Sequence, residues 1–356
     1  MARTENGRLA YADLLRVFAA LAVVVLHISA CWLEQTAVGS TSWTVLCLYD
    51  SLVRWCVPVF VMLSGAFLLD PKKSVTYRDI FLKYILRVLI ALLVWGTFYA
   101  LLDYGHSGLT FTWAGVKSAL NHVLWADTHY HLWFLYMIIG LYLITPILRA
   151  FIRGASRGTL HWFFLLVFIF YSLVPVLNEL FPGRMALPMA WTGRFDIHMV
   201  LGYVGYYVAG YYLKNYTLNR LAEFIIYILG IGGAVATAWG NYILSVRCGT
   251  FNGVLFEYRA PNVVFMSVAV FVLFRYVLGI SDERSRRQRM GGVAKISLGI
   301  FLIHDFFIML LRHFDITTLS FHPALSVPVL SAAVFLCSFA VAWLISKIPL
   351  IGRFLT

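Results

Sequence analysis

Residues 13–27 read DLLRVFAALAVVVLH. With its flanks this run is apolar over the ~20 residues that a helix needs to cross a bilayer. It nevertheless holds Asp13, Arg16 and His27. An ionisable group at membrane depth is costly, so it faces a protein interior or a watery cavity and marks function by default. Arg16 and His27 are eleven residues apart, which at ~100° per residue is within ~20° of three full turns. The two side chains share one helix face, ~16 Å apart along the axis at ~1.5 Å per residue. One helix thus presents a fixed cation at one level and an imidazole at another. The plainer reading has Arg16 snorkel to the headgroups and His27 bond a neighbouring helix.

The surrounding chain has the composition of a membrane protein. Of its 356 residues 61% are hydrophobic and 12% charged, with mean hydropathy +0.82. Soluble globular proteins carry about 25% charged residues. The expected fold is an all-α integral membrane protein, with residues 1–356 forming one polytopic domain. The formal charge of +12 then reflects basic cytoplasmic loops rather than nucleic-acid binding. Five cysteines (Cys31, Cys47, Cys56, Cys248, Cys337) show no metal or redox spacing. Cys31 and Cys47 could bridge only if they flank one outer loop. The first apolar segment has no small-residue cleavage site and reads as a retained helix.

Hydropathy predicts ten spans, at roughly 10–31, 51–69, 80–102, 131–149, 159–178, 198–213, 221–244, 261–279, 295–312 and 324–347. The sixth is short enough to be half-buried or tilted. With the N-terminus inside, twenty of the 28 Lys and Arg residues fall on the inner side and seven, including Arg54, on the outer. Arg16 is the remaining one. That asymmetry predicts N-in and C-in. The inner segment 281–290, SDERSRRQRM, suits anionic headgroups. The outer loops are mixed in charge and aromatic: His129 lies in one, Arg184, Trp191, Arg194 and Asp196 in the next, and Glu257, Tyr258 and Arg259 in a third. Such a surface suits a polar ring such as a sugar, with Trp133, Glu257 and Arg259 as candidate acceptor-binding residues. An interfacial aromatic belt with solvated charges is the plainer reading.

Depth relates the buried ionisable groups. Arg16 lies ~9 Å inside the inner edge of the first helix. Arg87, in YILRVLIALL, lies at a similar depth in the third, with Lys83 one turn from it. Guanidinium groups bind phosphate in a forked geometry, so these cations could receive phosphates from the cytoplasm. Asp13 is placed to pair with Arg16 and support it. His27 and His131 lie near the outer level, and His304 with Asp305 near the middle of the ninth span.

DLLRVFAALAVVVLH resembles the Arg/Lys, ten residues, His signature of the acyltransferase-3 family of bacterial membrane acyltransferases. VPVFVMLSGAFLL (57–69), KYILRVLIALL, HLWFLYMIIGLYLITPIL and SLGIFLIHDFF are similar to its later blocks, in order along most of the chain. The third helix has Ala91 and its neighbours where many members have a proline. The resemblance is to stand-alone members without an added hydrolase-like domain. It implies an acyl-CoA co-substrate, most often acetyl-CoA, and a hydroxyl acceptor on a surface glycan or lipid-linked sugar precursor. It implies the bacterial cytoplasmic membrane as location.

The expected donor site is Arg16, Arg87 and Lys83, with Ser64 giving space and His304 lining the pantetheine channel. The pantetheine arm is of the same order of length as the ~16 Å from Arg16 to His27. His27 is expected to act as general base on the acceptor hydroxyl, with an acyl-His27 intermediate as the other route. His131 would orient the acceptor or stabilise the oxyanion, and Asp305 would support. No tightly bound cofactor and no metal are expected. Two other functions fit the residues: a secondary transporter of an anion using buried Arg, His and Asp, and a non-catalytic component of surface-polymer assembly. A homo-oligomer stays open, because apolar faces in lipid provide no drive to associate.

Overall fold

The computed structural model describes residues 9–105, 112–181, 202–278, 290–349 and 351–356. It is all-α, with no β-strand among the described residues. Eight helical segments are long and apolar enough to cross a membrane. Eight of the ten expected spans correspond to these. The other two are also helices, but shorter: the sixth, Val204–Asn215, has 12 residues and the ninth, Ser297–His313, has 17. The chain is an integral membrane protein.

The first helix, α1 (Ala10–Ala30), is the axis of the molecule. Its small residues Ala12, Ala19, Ala20 and Ala22 are buried, which lets neighbours approach closely where lipid offers no hydrophobic drive. It packs against α2 (Thr41–Val53), α3 (Cys56–Leu68) and the later helices named below. The second span is therefore longer than expected at its start, Thr41–Leu68 rather than 51–69. Arg54, counted above on the outer side, is accordingly a largely buried interior residue. It sits at the break between α2 and α3, hydrogen-bonded to the fully buried Asp50 and lying 4.2 Å from the centroid of the Phe256 ring. Removing one partner of such a pair would leave an uncompensated buried charge.

A capped turn at Tyr77–Asp79 and a π-helical stretch, Ile80–Ile85, lead into α4 (Leu86–Gly105). Then come α5 (Trp113–Leu124), α6 (Trp133–Gly154), α7 (Arg157–Val167) and α8 (Val174–Leu180). The sixth expected span is α9 (Val204–Asn215), which is buried almost throughout. It crosses α3 at reciprocal glycines. A Cβ on Gly65 would lie 1.8 Å from the Tyr207 carbonyl oxygen, and one on Gly210 1.8 Å from that of Met62. The Ser-Gly of the second block thus permits backbone contact. The remaining long helices are α10 (Arg220–Cys248), α11 (Pro261–Tyr276), α12 (Ser297–His313) and α13 (Pro323–Ser346).

All five cysteines are free, so Cys31 and Cys47 are not bridged. Residues Arg184, Trp191, Arg194 and Asp196 and most of the basic segment 281–290 lie outside the described residues.

Candidate active site

Two neighbouring features hold the ionisable groups. The first is a cavity of about 610 Å³ walled by α1, α3, the π-helical stretch, α4, α6 and α12. Ligand sites of ~300–1,000 Å³ are usual for small molecules. Arg16, Lys73, Lys83, Arg87 and Lys295 line it, with Asp13 as the acid among its lining residues. Arg16 stays 3.9 Å from Asp13 and lies 5.4 Å from the centre of the Phe67 ring. The pairing with Asp13 and the cavity role therefore coexist. The π-helical stretch carries Lys83 and Tyr84; such distortions recur at functional sites. Arg87 donates to the Thr356 carbonyl at 2.5 Å. Ser64 lines the wall while its hydroxyl donates to the Phe60 carbonyl at 3.0 Å.

Lys73 and Lys295 were not expected in this site. The backbone of the exposed Lys73 is held by Arg149, which is buried and donates to the carbonyls of Leu68, Asp70 and Lys73. Nothing in the local sequence signals this clamp, because Arg149 and Lys73 meet only through the fold.

At its far end the cavity reaches Phe134 and Phe301, whose rings pack edge-on at 5.4 Å. Beyond Phe301 lies the second feature, a cluster of four imidazoles. His27 is 5.0 Å from His304, and His304 is 5.3 Å from His131, between ring centroids. His129 Nδ1 lies 3.1 Å from His131 Nδ1, and its Nε2 lies 3.2 Å from an Asp305 oxygen and 3.6 Å from Asp103. Tyr130 donates to the other Asp305 oxygen at 2.5 Å. His304 donates through Nδ1 to the Phe301 carbonyl at 2.6 Å.

Helix α12 is held open here. The Tyr99 hydroxyl donates to the Leu302 carbonyl at 2.8 Å and accepts from the Phe306 amide at 3.1 Å. Those two backbone groups are one i, i+4 pair, so a side chain is inserted into the helix ladder at the turn bearing His304 and Asp305.

The structure thus brings Arg16, Arg87, Lys83 and Ser64 to one cavity and His27, His131, His304 and Asp305 to one cluster. His304 does not line the cavity, contrary to expectation. It lies behind Phe301, since the turn of α12 that sends Phe301 toward the cavity sends His304 toward His27. Trp133 stacks on Tyr258 at 5.9 Å and packs near Tyr203. That brings it to the loop of Glu257 and Arg259, and Arg259 is paired with Glu179 rather than with either feature above.

His129 and Tyr99 are participants that sequence spacing does not reveal. His129, His131 and Asp305 also offer ligand atoms within 4.8 Å of one another, a set that could hold a metal ion. No linear spacing marks that set, because Asp305 comes from another helix.

A family model described as an acyltransferase domain, Acyl_transf_3, matches residues 9–347. No curated protein and no solved structure matches the chain.

Proposed function

Since the chain belongs to the acyltransferase-3 family and is a membrane acyltransferase, we propose that it moves an acetyl group from cytoplasmic acetyl-CoA to a hydroxyl of a surface glycan or its lipid-linked precursor. Its membrane is the bacterial cytoplasmic membrane, with both termini inside. The observation that carries this reading is the cationic cavity ending at the histidine cluster. Five cations around one acid, with Phe67, Tyr84 and Tyr142 on the walls, match a nucleotide bearing several phosphates. Arg16 and Arg87 hold the phosphates in forked hydrogen bonds, and the pantetheine arm points toward Phe134 and Phe301. His27 takes the proton of the acceptor hydroxyl as it attacks the thioester carbon. The sugar rests on the aromatic surface of Trp133 and Tyr258, with Glu257 and Arg259 at its edge.

The test is acetyl-CoA binding to the purified protein, together with label transfer to membrane glycan precursors. Wild type is expected to bind and transfer, Arg16→Ala to lose binding, and His27→Ala to bind without transferring. If wild type binds no acyl-CoA, the donor half of the reading fails and anion transport takes its place. Full transfer by His27→Ala would remove the base.

A further inference from the structure

Asp305 is a buried carboxylate with no fixed cation beside it. Among the described residues no lysine or arginine lies within ion-pair distance of it. Its nearest basic neighbour is His129, whose Nε2 is 3.2 Å from one carboxylate oxygen, while Tyr130 donates to the other. Arg312, two turns along α12, donates to the Cys31 sulfur instead. Buried charges are ordinarily paired or coordinate a metal.

The imidazoles around this carboxylate also lack partners. The Nε2 atoms of His131 and His304 are fully buried and hydrogen-bond to nothing, and such exceptions call for a physical reason. His304 donates to the Phe301 carbonyl through Nδ1, so its Nε2 is a bare lone pair at the edge of the set. The spacing gives the reason a form. Two atoms bound ~2.0–2.2 Å from one tetrahedral ion are about 3.3–3.6 Å apart. The Nδ1 atoms of His129 and His131 are 3.1 Å apart, and His129 Nε2 is 3.2 Å from the Asp305 oxygen. His129, His131 and Asp305 each offer one ligand atom within 4.8 Å of the others. His129 can give an ion only one nitrogen, so the widest edge of the set closes by about 1.5 Å on binding. Outer partners stand ready. Tyr130 holds the second Asp305 oxygen, and Asp103 lies 3.6 Å from His129 Nε2; such groups orient metal-binding carboxylates and imidazoles.

We propose that His129, His131 and Asp305 bind one divalent transition-metal ion. Two imidazoles and a carboxylate without a thiolate suit zinc or iron rather than magnesium or calcium. Three protein ligands leave a position for an oxygen, as in catalytic zinc sites and unlike closed structural ones. The ion would tie the segment before α6 to α12, within the cluster that holds His27. Linear spacing predicted no metal because Asp305 comes from a distant part of the chain. The site stands apart from the acyl donor and acceptor proposed above, and its test uses neither.

The test is metal analysis of full-length protein carrying Cys248→Ser and Cys337→Ser, which remove the exposed thiols, and no polyhistidine tag. About one zinc or iron per chain is expected. After chelation, added Zn2+ should bind with a stoichiometry of about one and raise the melting midpoint. His129→Gln and Asp305→Asn should each weaken zinc binding by about a hundredfold or more and lose that rise, while eluting as wild type does without metal. Tyr130→Phe, which removes only the bond that orients the carboxylate, should weaken it about tenfold. X-ray absorption of the zinc-loaded wild type decides the ligands without any variant: imidazole nitrogen and oxygen at ~2.0–2.2 Å are expected. Sulfur ligands, or unchanged zinc affinity in both His129→Gln and Asp305→Asn, would overturn the proposal. Protein that retains no metal and binds none after chelation would leave Asp305 paired with His129 alone and overturn it as well.

Discussion

Arg16 keeps Asp13 within 3.9 Å and still faces the cavity, so its charge is held in place before any ligand arrives. Arg16→Lys retains the charge but loses the fork; acetyl-CoA affinity is expected to drop about tenfold, read by calorimetry, since charge-assisted bonds contribute about 1.5–3 kcal/mol. Lys295→Ala should weaken binding without touching the slope of transfer against bound donor. Asp70 makes a different kind of prediction. Partial burial pushes its carboxyl up, but the Lys214 ammonium at 2.6 Å and the Lys72 amide outweigh this and hold it below the usual range. A depressed carboxylate stabilises the fold above its unfolded value of about 3.9, and that contribution is lost as pH falls through the folded value. Melting midpoints of wild type should therefore fall more steeply than those of Asp70→Asn between about pH 5 and about pH 3. At this scale Arg16, His27, Lys83 and Arg87 were legible because helical periodicity alone sets their face and depth. Lys73, Lys295 and His129 were not, because the Arg149 clamp, the short helix Met290–Lys295 and the segment before α6 bring them in.

Among the elements, α12 is the one whose sequence hides most. SLGIFLIHDFF reads as an ordinary apolar helix, yet a tyrosine from α4 occupies its hydrogen-bond ladder where His304 and Asp305 sit. Tyr99→Phe would leave the Leu302 carbonyl without that donor and let the ladder relax. A loss of about 1–3 kcal/mol should appear as a lower unfolding midpoint in detergent, together with impaired transfer. The α3–α9 crossing was half legible. Ser64-Gly65 announces a close approach, but its counterpart Gly210 lies in a segment whose brevity gave no hint of how deeply it is buried. Because the atoms facing Gly65 are backbone, neither neighbour can rotate away. Gly65→Val should prevent the two helices from docking, read as failure to give a monodisperse protein, whereas Ser64→Ala should be tolerated.

For the whole molecule, each of the eight membrane-length helices among the described residues matches an expected span, and the differences lie at their ends. The start of the second span was placed at 51 rather than at Thr41, next to Asp50, which the fold buries as the partner of Arg54. The grouping of the charges into a cavity and a cluster was beyond the sequence, since it depends on which helices cross α1. Orientation is the property the basic residues predict most directly. In intact cells an impermeant maleimide should label the exposed Cys248 at the end of α10. In a Cys248→Ser background, Thr217→Cys before the same helix should react only after lysis. The reverse pattern would invert the topology. The edge-on contact of Phe134 and Phe301 has its consequence at this scale too. Under the proposed function the acyl group must pass these two rings to reach the imidazoles, so they form an apolar constriction on its path, and transfer is expected to proceed without collapsing a proton gradient across the membrane.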